Sequence, residues 1–173
     1  MLAGKIMAIA DDLIIITRQE QELVLPHFDE TVAWHIGLRL RELALRRQLG
    51  VVIDLHRFGQ PLFYCALAGS TPDNVGWVQR KNRVVARFHR SSYRVGLELA
   101  ERQTTLAEKF SLSDADYAAH GGAFPLTVAG AGIVGTVTVS GLPQRADHEL
   151  VVEALCQHLG LDYGRLALPK PGA

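Results

Sequence analysis

The chain has 173 residues, of which 48% are hydrophobic and 21% are charged, and this length and composition predict a single globular domain. Lysine and arginine together number 18, as do aspartate and glutamate. This balance argues against a general nucleic-acid or membrane-surface protein, because such proteins carry an excess of positive charge.

Two helices are predicted before the first strand. Asp11 or Asp12 can cap the first helix, which continues to about Leu23 and ends before a proline. Asp29 can cap the second helix, over 30–49. The residues expected on the buried face of this second helix are Val32, Ile36, Leu40, Leu43 and Leu45.

Two β-hairpins follow at separate places in the chain. The first pairs a β-branched strand over 51–55 with a return strand over 61–67, through a turn at 57–60. The second pairs 124–129 with 133–140 around a glycine-rich turn.

The segments between and after the hairpins are predicted to be helical. A third helix covers 75–88 and continues to Ala100 unless the pair Ser91-Ser92 breaks it. Ser111 or Ser113 is expected to cap a short helix that ends at two glycines.

A last helix is predicted over 145–159, with Gly160 as its C-terminal glycine. Two hairpins separated by helices favour an antiparallel sheet with helices packed on it over a doubly wound parallel sheet. We expect one domain over 11–166, preceded by an N-terminal extension (1–10) and followed by a loose tail (167–173).

The chain is expected to be cytoplasmic and not to enter a membrane. Residues 123–142 carry no charge and are long enough to span one, but their proline, glycines and β-branched residues indicate the second hairpin. Asp11 and Asp12 follow too soon for a signal peptide. Cys65 and Cys156 are too few for a disulfide scaffold and are expected in the core.

Two candidate site motifs surround the start of the last helix. The hydroxyl of Ser140 and the backbone at Gly141 lie where a strand runs into a positive helix end, and could hold a carboxylate or phosphate or simply make the turn. Asp147 suits the helix dipole, and His148 beside it could act as a base or be structural.

A third candidate is the sequence His120, Gly121 and Gly122 at a predicted helix end. A protonated histidine is favoured there by the helix dipole. The two glycines allow close backbone approach, either to a ligand or to another part of the protein.

The fourth candidate is Trp77 with Arg80 and Lys81, an aromatic residue followed one turn later by two cations that could clamp a carboxylate. If the third helix is continuous, five arginines share one of its faces and form a stripe that is solvated, intersubunit, or able to bind an anion or RNA. These are Arg80, Arg83, Arg87, Arg90 and Arg94.

The seven histidines do not fall at metal-ligand spacings, so no structural zinc is predicted. A single axial histidine for haem iron leaves no spacing signature, which keeps haem open as a cofactor.

Together these motifs resemble the small haem-degrading-domain superfamily of the GlcG, HbpS and PduO C-terminal type, and within it the branch shared by bacteria and fungi. The resemblance covers about 13–159. The matching motifs are 52–55, Asp73-Asn74 with Trp77 and Arg80-Lys81, Ser91-Ser92-Tyr93, His120-Gly121-Gly122 with Phe124-Pro125, Gly132 with Gly135, 139–142, and Asp147-His148.

The resemblance implies a three-layer α-β-α sandwich with a central antiparallel sheet, similar to profilin or PAS-type domains. It also implies homodimers or larger assemblies, and haem as a candidate ligand. Haem ligands differ among members of the superfamily, so none is carried over; His120 and His148 are the candidates because both adjoin matched motifs.

Three functions follow as hypotheses. The first is a homo-oligomeric domain that binds haem or another anionic small molecule near Ser140, His120 and Arg80-Lys81. The second is an oligomeric interaction module without catalytic activity. The third is an enzyme acting on a small organic acid, with one of the candidate histidines as its base.

Overall fold

The computed structural model describes residues 2–169. Its helices and strands follow the predicted order, apart from an added short strand and differences among the short helices. They are α1 (Leu2–Glu22), β1 (Val24–Leu25), α2 (Glu30–Arg46), β2 (Val52–Arg57), β3 (Gln60–Ala66), α3 (Asp73–Phe88), α4 (Ser92–Glu101), α5 (Leu106–Phe110), β4 (Ala123–Val128), β5 (Gly132–Ser140) and α6 (Gln144–Leu159). A single turn of 3-10 helix follows at Tyr163–Arg165.

The five strands form one sheet in the order β1-β4-β5-β2-β3. Both predicted hairpins are confirmed, since β2 pairs with β3 and β4 with β5 in antiparallel register, and β2 and β5 join the hairpins at the centre. The exception is β1, a parallel partner of β4 that is two residues long and so too short to leave a sequence pattern.

The two faces of the central strands differ in chemistry. Ile53 and Leu55 of β2 and Val137 and Val139 of β5 lie in the main hydrophobic core with residues of α2 and α6. The residues between them face α3 on the other side, and they are polar. Because side chains alternate along a strand, this pattern directs a polar surface inward against α3.

Helices cover both faces of the sheet, which confirms the three-layer arrangement: α2 and α6 pack on one side, α3 packs on the other, and α1 lies against α4. Asp29 caps α2 through a 2.8 Å hydrogen bond from the Val32 amide to its carboxylate. Across residues 2–169 we find no helix whose length and apolar character would allow it to span a bilayer.

The third and fourth helices are separate, so of the two alternatives the structure shows the break at the Ser91-Ser92 pair, and the five-arginine face, which required a continuous helix, does not form. The break begins at His89, which ends α3 with a positive φ of 53°. It is completed at Ser91, whose buried hydroxyl accepts a hydrogen bond from the amide of Arg94 and so starts α4. The serine pair therefore acts as a helix N-terminus rather than as interior residues.

Several other predicted boundaries are also wrong. The first helix begins at Leu2 rather than at Asp11 or Asp12, because no proline interrupts the preceding residues. The short helix predicted from Ser111 or Ser113 to the two glycines is absent, since that segment forms turns and loop. A different short helix precedes it, capped by Thr105 in a capping box and with Ser111 at its C-terminal end.

Two expectations about exposure are overturned. Leu45, expected in the core, is 48% exposed because α2 turns that position to solvent near its end. In the expected loose tail, Leu168 is buried and its amide donates to Glu149 at 3.0 Å, while 170–173 lie outside the described residues. The domain boundaries themselves stay a prediction.

We expect Ser91→Ala to lower the free energy of unfolding by about 1 kcal/mol, because the amide of Arg94 loses its capping partner in a buried place. Urea unfolding followed by circular dichroism measures this. Ser113→Ala is the control, because the hydroxyl it removes accepts an exposed hydrogen bond from the amide of Ala115 that water can replace, and it should change stability by less than about 0.5 kcal/mol. Equal effects of the two substitutions would contradict the capping role.

Candidate functional site

Most of the predicted site residues meet where β5 runs into α6. They line a cavity of about 240 Å³, which we call the junction cleft. The predicted residues that line the junction cleft are Trp77, Lys81, His120, Ser140, Gly141 and Asp147. Helix α3 supplies the first two of these, the segment before β4 supplies the histidine, and the β5–α6 junction supplies the others.

A buried ion pair forms the floor of the junction cleft. Lys81 Nζ lies 2.8 Å from Asp147 Oδ2, and the two residues are 3% and 1% exposed. Lys81 also donates to the carbonyl of Val139 at 3.2 Å, and the amide of Leu142 donates to Asp147 at 2.9 Å. Burial raises the pKa of Asp147 and lowers the pKa of Lys81, whereas the ion pair opposes both shifts.

The two glycines after His120 serve close packing. A Cβ atom at Gly122 would lie 2.2 Å from the carbonyl oxygen of Val139 and 2.7 Å from Lys81 Nζ, and its φ is 128°. At Gly121 a Cβ would lie 1.9 Å from the carbonyl oxygen of Gln144. These positions let the backbone pass directly over the ion pair, which explains the glycines without a ligand.

An aromatic and cationic cluster forms one wall of the junction cleft. The ring centroids of Trp77 and His120 are 5.2 Å apart with an edge-on orientation, and the guanidinium of Arg80 lies 4.1 Å from the Trp77 ring centroid. Arg80 faces a second, adjoining cavity of about 450 Å³ that also includes Trp77 and His120. Burial, and then the charges of Lys81 and Arg80, lower the pKa of His120 and favour its neutral form.

His148 lies apart from this cluster. It is fully buried between the rings of Tyr93 and Phe124, and its Nε2 lies 2.7 Å from Gln19 Oε1. Burial, with a smaller effect of Arg145, lowers its pKa to about 3. Its Nδ1 has no hydrogen-bond partner in the part of the chain that the structure describes. It therefore stays neutral and supports the packing of α6 against α1.

The arginines of the predicted stripe have separate partners. Arg83 makes an exposed pair with Asp116 at 3.2 Å, and Arg90 pairs with Glu98 at 2.9 Å. Arg94 pairs with Glu20 at 2.7 Å and so ties α4 to α1. These contacts account for three of the five side chains as surface or interhelix ion pairs.

A second polar cluster, which was not predicted from the sequence, lies on the sheet face beneath α3. Asp54 Oδ2 accepts from Asn82 Nδ2 at 2.8 Å and lies 2.5 Å from His56 Nδ1, while Thr138 donates to Asn82 Oδ1. Burial raises the pKa of Asp54, and its bonds to Asn82 and His56 oppose that shift. In the sequence, this cluster could have been predicted from β2, where Asp54 and His56 alternate with apolar residues and so fall on the same face of the strand.

The chain resembles known proteins over most of its length. A family model described as Haem degrading protein HbpS-like matches residues 28–156. A UPF0303 protein of Acidobacterium capsulatum is 58% identical over 164 residues, which cover 95% of this chain and 99% of that protein. Another, of Paraburkholderia phymatum, is 60% identical with the same coverage.

Solved structures share the fold. The crystal structure of the Ybr137w protein superposes with a TM-score of 0.80 and 29% identity, covering 86% of this chain and 88% of that one. HbpS gives 0.60 at 20% identity, covering 78% and 91%. A PduOC:haem complex gives 0.65 at 14% identity, covering 75% and 93%. At these identities, the last two comparisons establish the fold alone.

The buried His148 predicts a loss of stability in acid. Its folded pKa is about 3, below the ordinary value of 6.5, so the unfolded chain takes up a proton that the folded chain excludes. The stability it contributes is present above pH 6.5 and is lost as the pH falls toward 3. This loss approaches about 1.4 kcal/mol per pH unit.

His148→Phe should reduce that slope, as measured by urea unfolding at pH values between 6.5 and 4. His35→Gln, which removes an exposed histidine, is the control and should leave the slope nearly unchanged. The same slope in wild type and His148→Phe would contradict the burial of a neutral imidazole.

Proposed function

The chain belongs to the HbpS-like family of haem-degrading proteins, and we propose that it binds haem or another anionic small molecule. One observation carries this proposal. Trp77, Lys81, His120 and Ser140, which are distant in sequence, line one cleft. The family description and the haem complex of PduOC supply the candidate ligand.

The guanidinium of Arg80 is the cationic group that an anion in this region would meet. Two permanent cations, Arg80 and Lys81, stand near two carboxylates, that of Asp147 in the junction cleft and that of Asp114 in the adjoining cavity. Asp147 is held by Lys81, which leaves the guanidinium of Arg80 as the positive group available to a ligand. The hydroxyl of Ser140 can add a hydrogen bond to a bound carboxylate.

The residues present fit haem in their chemistry. His120 is exposed where the two adjoining cavities meet, and its lowered pKa favours the neutral imidazole that binds iron. Leu99 and Leu106 give the larger cavity an apolar wall. His120 would hold the iron and Arg80 a propionate, and the bound haem would supply an iron centre capable of oxygen chemistry.

The role of each residue is then limited to binding and orientation. Trp77 fixes the His120 ring by its edge and supports Arg80 by its face. Lys81 and Asp147 hold the floor of the cleft and position the backbone at Gly141.

Haemin titration followed by Soret absorbance tests this proposal. Wild type should bind haemin saturably and in stoichiometric amount. His120→Ala should remove the saturable spectral change, and Arg80→Ala should weaken binding by about tenfold, the effect of one charge-assisted contact. Arg87→Ala, which removes an exposed arginine of the same helix, is the matched control.

Lys81 is not a suitable single substitution, because its loss would leave the buried carboxylate of Asp147 without a partner at a cost of about 3–5 kcal/mol. A weak and unsaturable spectral change in wild type, or identical binding by wild type and His120→Ala, would refute haem binding at this cleft.

A second function, an oligomeric interaction module, is favoured by the edge of the sheet. β3 is an outer strand, and Tyr64 on it is 51% exposed. Trp34 of α2, which is 55% exposed, lies edge-on to Phe63 of the same strand. Such an edge offers unpaired backbone groups and apolar side chains to a second copy of the chain.

The oligomer is tested by light scattering coupled to size exclusion. We expect wild type to elute as a dimer or larger assembly, and Tyr64→Asp to lower its mass, because like charges would then face each other across the paired edges. Ile14→Ser, at an exposed position of α1, should leave the mass unchanged. A monomeric wild type, or a mass unaltered by Tyr64→Asp, would refute assembly through β3.

A further inference from the structure

A further cavity lies away from the junction cleft and shares no lining residue with it. It has a volume of about 570 Å³, within the range of small-molecule pockets. It lies between α3, the tip of the β2–β3 hairpin and the start of β5, and we call it the hairpin cavity. The junction cleft adjoins the same helix but opens where β5 ends.

The lining of the hairpin cavity combines apolar walls with positive or proton-donating groups. Its apolar walls are Phe58, Val85, Ala86, Ile133 and Val134. Its polar groups include His56, Gln79, Arg83 and His89, and no aspartate or glutamate lines it. This composition suits a ligand with an apolar body and one negative end.

His56 is held in one orientation by a buried acid. Its Nδ1 lies 2.5 Å from the carboxylate of Asp54, which is itself fixed by Asn82. With Nδ1 engaged, Nε2 is the ring nitrogen left for a ligand. The His56 side chain lines the hairpin cavity, so this nitrogen can contact a ligand there.

Arg83 is available to an incoming anion. Its Nη1 contacts the carboxylate and the carbonyl of Asp116 at 3.2 and 3.1 Å, but the two side chains are 49% and 61% exposed. An ion pair this exposed to water contributes little stability. A ligand carboxylate in the cavity can therefore draw on the remaining guanidinium donors, whose planar geometry matches it.

Phe58 at the hairpin tip gives an independent indication. The two-residue turn at Phe58 and Gly59 has φ values of 47° and 84°, a conformation that favours Asn-Gly and strains a bulky side chain. The Phe58 side chain is also 81% exposed, although it borders the cavity. An aromatic residue that is both strained and unburied at a cavity mouth is explained by contact with a ligand.

We propose that the hairpin cavity is a second binding site, specific for compact monocarboxylic acids with an aromatic or short aliphatic body. The carboxylate binds Arg83, Nε2 of His56 makes a second polar contact, and the apolar body lies between Val85 and Ile133 beneath Phe58. Asp54 and Asn82 act as positioning residues that hold the imidazole.

Titrations of 2-naphthoate and hexanoate, followed by amide chemical shifts, test the site. Saturable binding with shifts at the hairpin cavity is expected, and the neutral analogue 2-naphthamide should bind at least about tenfold more weakly than 2-naphthoate. Arg83→Gln and His56→Gln should each weaken naphthoate binding about tenfold. Arg87→Gln, an exposed arginine of the same helix, should not.

Phe58→Asn separates binding from folding. It creates the favoured Asn-Gly turn, so the free energy of unfolding should stay the same or rise while naphthoate affinity falls. The proposal is overturned if neither acid saturates, if acid and amide bind equally, or if Arg83→Gln and Arg87→Gln behave alike. Arg80→Ala and His120→Ala should leave naphthoate binding intact, so this result is independent of the haemin titration.

Discussion

The buried ion pair between Lys81 and Asp147 is the interaction on which the arrangement of the site depends. It joins α3 to the first turn of α6 and closes the end of β5 through Val139 and Leu142. The backbone at Gly122 passes within a few ångströms of it, in a space that no side chain could share. Breaking such a pair costs about 3–5 kcal/mol, a large part of the 5–15 kcal/mol that stabilises a typical domain. The polar residues of the junction cleft are thus fixed by the same contact that holds the helices.

A second constraint is the asymmetry of the sheet. One face is apolar and packs on α2 and α6, whereas the face under α3 carries Asp54, Thr138 and their partner Asn82. A buried polar group is costly unless it is hydrogen-bonded, and these three satisfy one another. Helix α3 consequently covers a polar layer, with the junction cleft at one end and the hairpin cavity at the other. Both sites take their fixed cations from this helix.

The two sites differ in what their surroundings favour. At the junction cleft, neighbouring positive charges and burial keep His120 neutral, the form that can bind a metal. At the hairpin cavity, the buried carboxylate of Asp54 contacts Nδ1 of His56 directly and fixes the orientation of its ring. The third histidine, His148, is surrounded by aromatic rings and has a structural role. Environment, rather than position beside a motif, decides what each imidazole can do.

The sequence by itself determined the layered α/β fold, both hairpins and the Asp29 cap, because local periodicity, turn residues and family motifs record them. It singled out Trp77, His120 and Ser140 as candidates, but their meeting in one cleft is a property of the tertiary structure. It did not determine the break at Ser91, the burial of His148 or the pairing of Asp54 with His56. Each of those depends on which element packs opposite: a serine pair becomes a cap only when Glu20 and the core receive it, and a histidine becomes inert only when water is excluded. Tertiary structure decided them because burial, and the distance between two side chains, depend on how distant segments pack together. The local pattern of residues around each position does not show that packing.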